Sequence, residues 1–208
     1  MVKSILPPKE LSDLSGLSPQ GTTFAARHIF TASGERDHIG YSLQMNAIRL
    51  SDLCIREYGL VRTAILEYHS NGTGFGFEYI MNASGHLEVC IWSLERFINH
   101  VDALRSAPSA SMLIKSLVPR DEPFIKKAVR KQISDLRNCL AHLECDAMNG
   151  DLPQGANLAL LPSEEGLEVG KYSITWTDLV IWLSAMHACA VRLANFDSNA
   201  GSKSESAA

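Results

Sequence analysis

The sequence predicts an all-α protein, an antiparallel four-helix bundle with a small β-hairpin before the last helix. Three observations carry this. Four long stretches repeat apolar residues at steps of three and four, the period of a helix with one buried face. Clusters of Gly, Pro, Ser and Asn separate them. Between Asn157 and Trp176 the helical spacing gives way to short apolar runs joined by turn residues, as in a hairpin. Long helices joined by short connections pack antiparallel around one core.

The chain has 208 residues, enough for one domain with a small appendage and a core that needs no staples. Residues 1–36 read as an N-terminal arm, 37–196 as the bundle and 197–208 as a disordered tail. The formal net charge of −4 excludes a polycation, so contact with nucleic acid requires a local patch. The five cysteines are odd in number and fit no disulfide framework, which points to free thiols in a reducing compartment. There is no charged leader before an apolar core and no run expected to span a bilayer. The expected location is the cytosol, away from membranes.

The arm holds Pro7, Pro8 and Pro19 and is expected to be extended or loosely packed. Glu10 to Leu17 is a candidate short helix, and the AARHIF run a second one lying on the core. From Asp37 to about His69, Ile39, Leu43, Ala47, Leu50, Leu53 or Cys54, Leu60, Ala64 and Tyr68 define the first long helix, with Gly59 as a bend or interruption. SNGTGFG, Ser70 to Gly76, is a loop; it lacks the lysine and flanking strand of a phosphate-binding loop.

The second long helix runs from about Phe77 to Ser106 on the stripe Leu87, Ile91, Leu94, Ile98, Val101 and Leu104. Residues 107–123 connect it to the third, with MLIKSL adding a helical turn and Pro123 at the cap or first turn. The third helix, Phe124 to Cys145, buries Ile125, Val129, Ile133, Leu136, Leu140 and Leu143, and ends near Met148 at Asn149-Gly150. NLALLP and LEVGKYSITW then form the hairpin around SEEG, although Gly170-Lys171 offers a second tight turn. Thr175 to Asp178 is an N-cap signal for the last helix, whose stripe is Leu179, Leu183, Met186, Ala190 and Leu193. Trp92, Trp176 and Trp182 fall on or beside core stripes and read as packing residues rather than base-stacking ones.

The third helix also carries the chemistry. Lys115, Arg120, Lys126, Lys127, Arg130, Lys131 and Arg137 concentrate positive charge on and before it. Within it stands Arg137-Asn138-Cys139-Leu140-Ala141-His142. On a helix Arg137 and His142 are roughly 7.5 Å apart along the axis and roughly 140° apart around it. They do not share a face, but Asn138 and His142 do, so Asn138 can orient the ring. Ser134 extends that polar stripe, and Arg137 can reach around from its flank. A guanidinium, a carboxamide and an imidazole meeting on one anion suit a phosphodiester: a fixed cation for the phosphoryl oxygens and a group titrating near neutrality to move a proton. Lys127, Arg130, Lys131 and Ser134 are the candidate substrate-binding residues, beside a catalytic set of Arg137, Asn138 and His142.

The same residues also permit plainer roles. Arg137 can form a surface ion pair, His142 can be an interior ring, and the basic run can be a solvated helix face. Cys139, His142 and Cys145 step by three along the helix, yet such positions drift around it, and a structural zinc takes four ligands from separate elements. No metal or cofactor is expected. The other histidines, His28, His38, His69, His86, His100 and His187, lack ligand spacing.

The helix order, the late hairpin and the Leu-Arg-Asn-x-Leu-Ala-His phrase together resemble the HEPN superfamily, whose signature is an Arg, four to six residues, then a His, often with a polar residue straight after the Arg. The likeness covers roughly Asp37 to Asn195. It implies a metal-independent endoribonuclease acting as a homodimer, with both motif copies lining one cleft. Arg137 would polarise the scissile phosphate, His142 would handle protons as the 2′-hydroxyl attacks, and Asn138 would hold the ring or the phosphate. Such proteins often act as toxins or in anti-phage defence, restrained by an antitoxin or regulatory protein. One toxin branch carries a Tyr two residues after the His, where this chain has Glu144; control by nucleotide transfer to that position does not carry over. Some members no longer cleave RNA and serve as modules that bind nucleotide, RNA or a protein.

Overall fold

The computed structural model describes residues 7–30, 38–71, 76–106, 117–118, 120–150 and 160–195, without the side chains of residues 27–30, 38–39, 144 and 146. Among these residues the elements are α1 (Gly21–Phe30), α2 (His38–Asn71), α3 (Gly76–Ser106), a 3-10 turn (Pro123–Ile125), α4 (Lys127–Asn149), β1 (Leu161–Pro162), β2 (Gly166–Val169), β3 (Tyr172–Thr175) and α5 (Trp176–Asn195). The protein is mostly helical, with one small antiparallel sheet.

The helices α2 and α3 form the central antiparallel pair. Their register is set by level contacts: the thiols of Cys54 and Cys90 each donate to the other's carbonyl, at 3.5 and 3.7 Å, and His86 Nδ1 lies 2.7 Å from Oε2 of Glu57. Outside this pair, α5 packs on α2 and α4 packs on α3. The sheet and the 3-10 turn fill the space between α4 and α5. The predicted stripe of α3 is fully buried, as is that of α5. In α4, Ile133 and Leu136 are fully buried while Ile125, Val129, Leu140 and Leu143 pack partly against the core.

In α2 the expected stripe is buried at Ala47, Leu50, Cys54 and Ala64, and it departs at Leu60. Tyr58, Val61 and Ile65 are buried and Leu60 is 40% exposed, because a face repeating every 3.6 residues from Ala47 and Cys54 passes through 58, 61 and 65 rather than 60. Gly59 does not interrupt the helix, which is continuous to Asn71. Ile39 and Lys115 fall outside the described side chains, as do most of MLIKSL, the start of NLALLP and the tail 197–208.

Two further expectations are corrected. Glu10 to Leu17 is not helical. It runs as a strap antiparallel to α2. His69 Nε2 lies 3.1 Å from the carbonyl of Pro8, Arg62 Nε donates to Leu11 O, and the Tyr58 hydroxyl donates to Ser12 O. Leu11 joins the core, so this part of the arm is extended but firmly packed. The strap ends where the Asp52 carboxylate accepts the backbone N–H groups of Gln20 and Gly21 at 2.7–3.1 Å. Asp52 thus serves as the anionic partner of the α1 N-terminus from a different helix. The AARHIF run lies in α1, which buries Phe24 against Tyr41.

The expected hairpin is a three-stranded meander, β1-β2-β3, with both neighbouring pairs antiparallel. Gly170-Lys171 makes the second turn, with Gly170 at φ 56°, a conformation that favours glycine. At the start of α5 the Asp178 N–H donates to the Thr175 hydroxyl, which donates to the Asp178 carboxylate at 2.7 Å. This is the predicted cap. Among the described residues, α5 is the one helix long and apolar enough to cross a membrane, but its apolar stripe is spent on the core.

Candidate functional site

The chain enters the motif helix through a break. Pro123 opens the 3-10 turn, and Lys126 then adopts an extended backbone, φ −56° and ψ 132°. The helix starts at Lys127, three residues later than the apolar pattern suggests, and Phe124 is buried against Phe97. Its far end follows expectation: Asn149 is the last helical residue and Gly150 turns at φ 73°.

Arg137 faces α3. Its Nε lies 3.0 Å from Oε2 of Glu95, an ion-pair contact without hydrogen-bond alignment. Its guanidinium carbon stands 4.4 Å from the centroid of the Trp92 ring. Its Nη1 donates to Asn138 Oδ1 at 2.8 Å. The carboxamide is therefore turned to the arginine, not to His142 as the i, i+4 spacing had allowed. His142 is exposed, with no hydrogen-bond or ion-pair partner among the described residues. The plainer expectation thus holds for Arg137, which forms an ion pair, and fails for His142, which is not an interior ring. The Glu144 side chain lies outside the described residues.

The four candidate substrate-binding residues do come together. Lys127, Arg130, Lys131 and Ser134 line a groove of about 380 Å³ between α3 and α4, opposite Glu95 and Asn99. Much of the charge is already matched. Arg130 pairs with Asp102 across the groove, and Lys131 pairs with Asp135 one turn on. The hydrogen bond and charge from Asp135 raise the Lys131 ammonium above its ordinary value. Lys127 is exposed and has no ion-pair partner among the described residues.

A second groove, of about 370 Å³, lies on the other side of Trp92, between α2 and α3. Arg49 and Arg96 line it together with Leu53, Glu88 and Val89. Arg137 stands between the two grooves, since Glu95 lines the first and Trp92 the second.

The sequence reading missed Glu95 and Trp92 as partners of Arg137. Trp92, expected to pack into the core, is 37% exposed. Trp176 and Trp182 are buried as expected. One signal was available: Trp92 and Glu95 lie at i and i+3 on the flank of the α3 stripe, where side chains reach a neighbouring helix.

Four of the five thiols, Cys54, Cys90, Cys139 and Cys189, are buried, and Cys145 is exposed. Cys139 and Cys145 therefore do not present one ligand face. No cluster of three metal-ligating side chains occurs among the described residues. His69, His86, His100 and His187 each have a local structural contact.

Compared with known protein families, curated proteins and solved structures, the chain finds no match in any of the three.

Proposed function

We propose that this chain is a metal-independent endoribonuclease of HEPN type that acts as a homodimer. The reading rests on the Arg137-Asn138-x-x-x-His142 phrase. It is supported by one observation above others: His142 is exposed and without a partner among the described residues, on the helix that also lines a groove with Lys127, Arg130, Lys131 and Ser134. In this reading α2, α3, α4 and α5 are the four helices of a HEPN-like bundle. The α4 surfaces of two copies face each other, and the single-stranded RNA lies between them.

Chemistry follows from the side chains. Arg137, released from Glu95, holds the non-bridging phosphoryl oxygens. The RNA 2′-hydroxyl attacks phosphorus and its proton passes to an imidazole. The bond from phosphorus to the 5′-oxygen breaks, that oxygen takes a proton, and a cyclic phosphate remains. Asn138 stays on Arg137 and sets the direction of the guanidinium. A toxin or anti-phage role in the cytoplasm, restrained by a regulatory protein, fits such an activity.

A second reading is a noncatalytic module of the same fold that binds nucleotide, RNA or a protein. The engagement of Arg137 by Glu95, Trp92 and Asn138 favours it, because a guanidinium held by three neighbouring side chains acts as a structural group. Expression of wild type, Arg137→Ala and His142→Ala, scored by growth and RNA integrity, separates the two. Cleavage by wild type alone supports the nuclease. Identical RNA profiles from three folded, dimeric proteins leave the module.

A further inference from the structure

We propose that the groove between α2 and α3 is a subsite for one nucleotide of a single-stranded RNA, with the base on Trp92 and a phosphate between Arg49 and Arg96. This deepens the reading of the chain as an RNA-acting protein and rests on it.

The helix register carries the layout. Cys54 is level with Cys90 and Glu57 with His86, so the antiparallel pairing puts Arg49 beside Arg96 at one end of the groove. Both arginines are exposed, and neither guanidinium has a hydrogen-bond or ion-pair partner among the described residues. That sets them apart from Arg56, Arg62, Arg130, Arg137 and Arg192, each of which has a carboxylate partner. Two adjacent guanidiniums without a counter-ion repel each other and are suited to a shared anion.

Trp92 occupies the middle of the groove with an exposed ring, next to the exposed Val89. An aromatic face beside a cationic pair is the means by which proteins hold unpaired bases, because every base has a π-face and every linkage a phosphate. Glu88 stands two turns from Arg96, about 12 Å along the helix. Its carboxylate excludes a phosphate from that end and leaves it to the arginines. The groove, about 370 Å³, is of a size for one nucleotide.

The subsite also touches the motif. Arg137 stands over the Trp92 ring, so the indole that borders this groove also contacts the motif arginine.

The test uses the full chain and a short single-stranded RNA whose riboses are 2′-O-methylated, which cannot cyclise. Trp176 and Trp182 are buried, so Trp92 dominates any change in indole emission when a base stacks. Wild type should bind with quenching. Arg49→Gln and Arg96→Gln, exposed changes that spare the core, should each weaken binding and lower the salt dependence by about 0.7 in log–log slope. Trp92→Ala should weaken it about fivefold or more, and Trp92→Phe should restore most of the loss. Folded Arg49→Gln and Arg96→Gln variants that bind like wild type overturn the subsite, as does Trp92-dependent self-association or protein capture without RNA binding. Unmodified RNA separates the two readings: binding with these dependences but no cleavage removes the nuclease and keeps the subsite, whereas cleavage indifferent to all three positions does the reverse.

Discussion

Arg137 of α4 lies against Glu95 of α3, Nε to Oε2 at 3.0 Å, and this contact connects the motif to the groove beside it. The pair is partly exposed and poorly aligned for a hydrogen bond, so it holds the guanidinium by charge more than by geometry. A phosphate offers the same guanidinium a bidentate partner.

The first prediction concerns that competition. Glu95→Gln frees Arg137 and should raise RNA affinity or the cleavage rate by up to about fivefold, the equivalent of a partly exposed ion pair of about 0.2–1 kcal/mol. Thermal stability should fall by no more than that amount. Steady-state binding and a melting curve on the same sample check both halves, and reduced activity in Glu95→Gln would make the carboxylate a positioning residue instead.

Acid should loosen the α2–α3 pair. Glu57 is only 5% exposed. Burial acts to raise its carboxyl, but hydrogen bonds and charge from Arg56 and His86 outweigh it, and the net shift is downward from the ordinary 4.5. A depressed folded-state value means that the stabilisation is present above pH 4.5 and is lost as pH falls through the folded value. Melting temperature measured from pH 6 downward should drop more steeply for wild type than for Glu57→Gln.

Thiol reactivity should be one against four. Burial raises Cys54 well above the ordinary thiol value and pushes Cys189 to about 12, and Cys90 and Cys139 are also buried. Alkylation of the native protein should label Cys145 rapidly and the other four only on unfolding. Mass spectrometry of partly labelled protein reads this directly.

Removal of the α5 cap should cost about 1 kcal/mol. Thr175→Ala takes away the acceptor for the Asp178 N–H, while Thr175→Ser keeps it and should stay close to wild type. Leu94→Ala, in the fully buried stripe of α3, should cost about 2–5 kcal/mol by opening a cavity. Chemical denaturation of the three variants orders them.

Much of the fold was legible because its signals are local. The buried stripes of α3 and α5, the Thr175–Asp178 cap and the Asn149-Gly150 stop each depend on residues within a few turns. The failures have the opposite character. The strap from Pro8 to Gln20 is held by carbonyls docking onto Tyr58, Arg62 and His69, partners some fifty positions away, and no periodicity announces such contacts. The third strand depended on a choice at Gly170-Lys171 between two plausible turns, which pairing with β2 decides. In the site, Lys127, Arg130, Lys131 and Ser134 share a face by helical spacing alone, and they line one groove.

By itself the sequence determined where the long helices lie, which faces they bury and that Arg137, Asn138 and His142 occupy one helix, because hydrophobic period, caps and breakers act within the segment that carries them. The direction of Arg137 was a tertiary decision. Its partners Glu95 and Trp92 belong to a different helix, and only the packing of α4 on α3 brings that carboxylate and that ring within reach of the guanidinium. Charge and stacking act over a few ångströms of space, and separation along the chain says nothing about which groups will meet there.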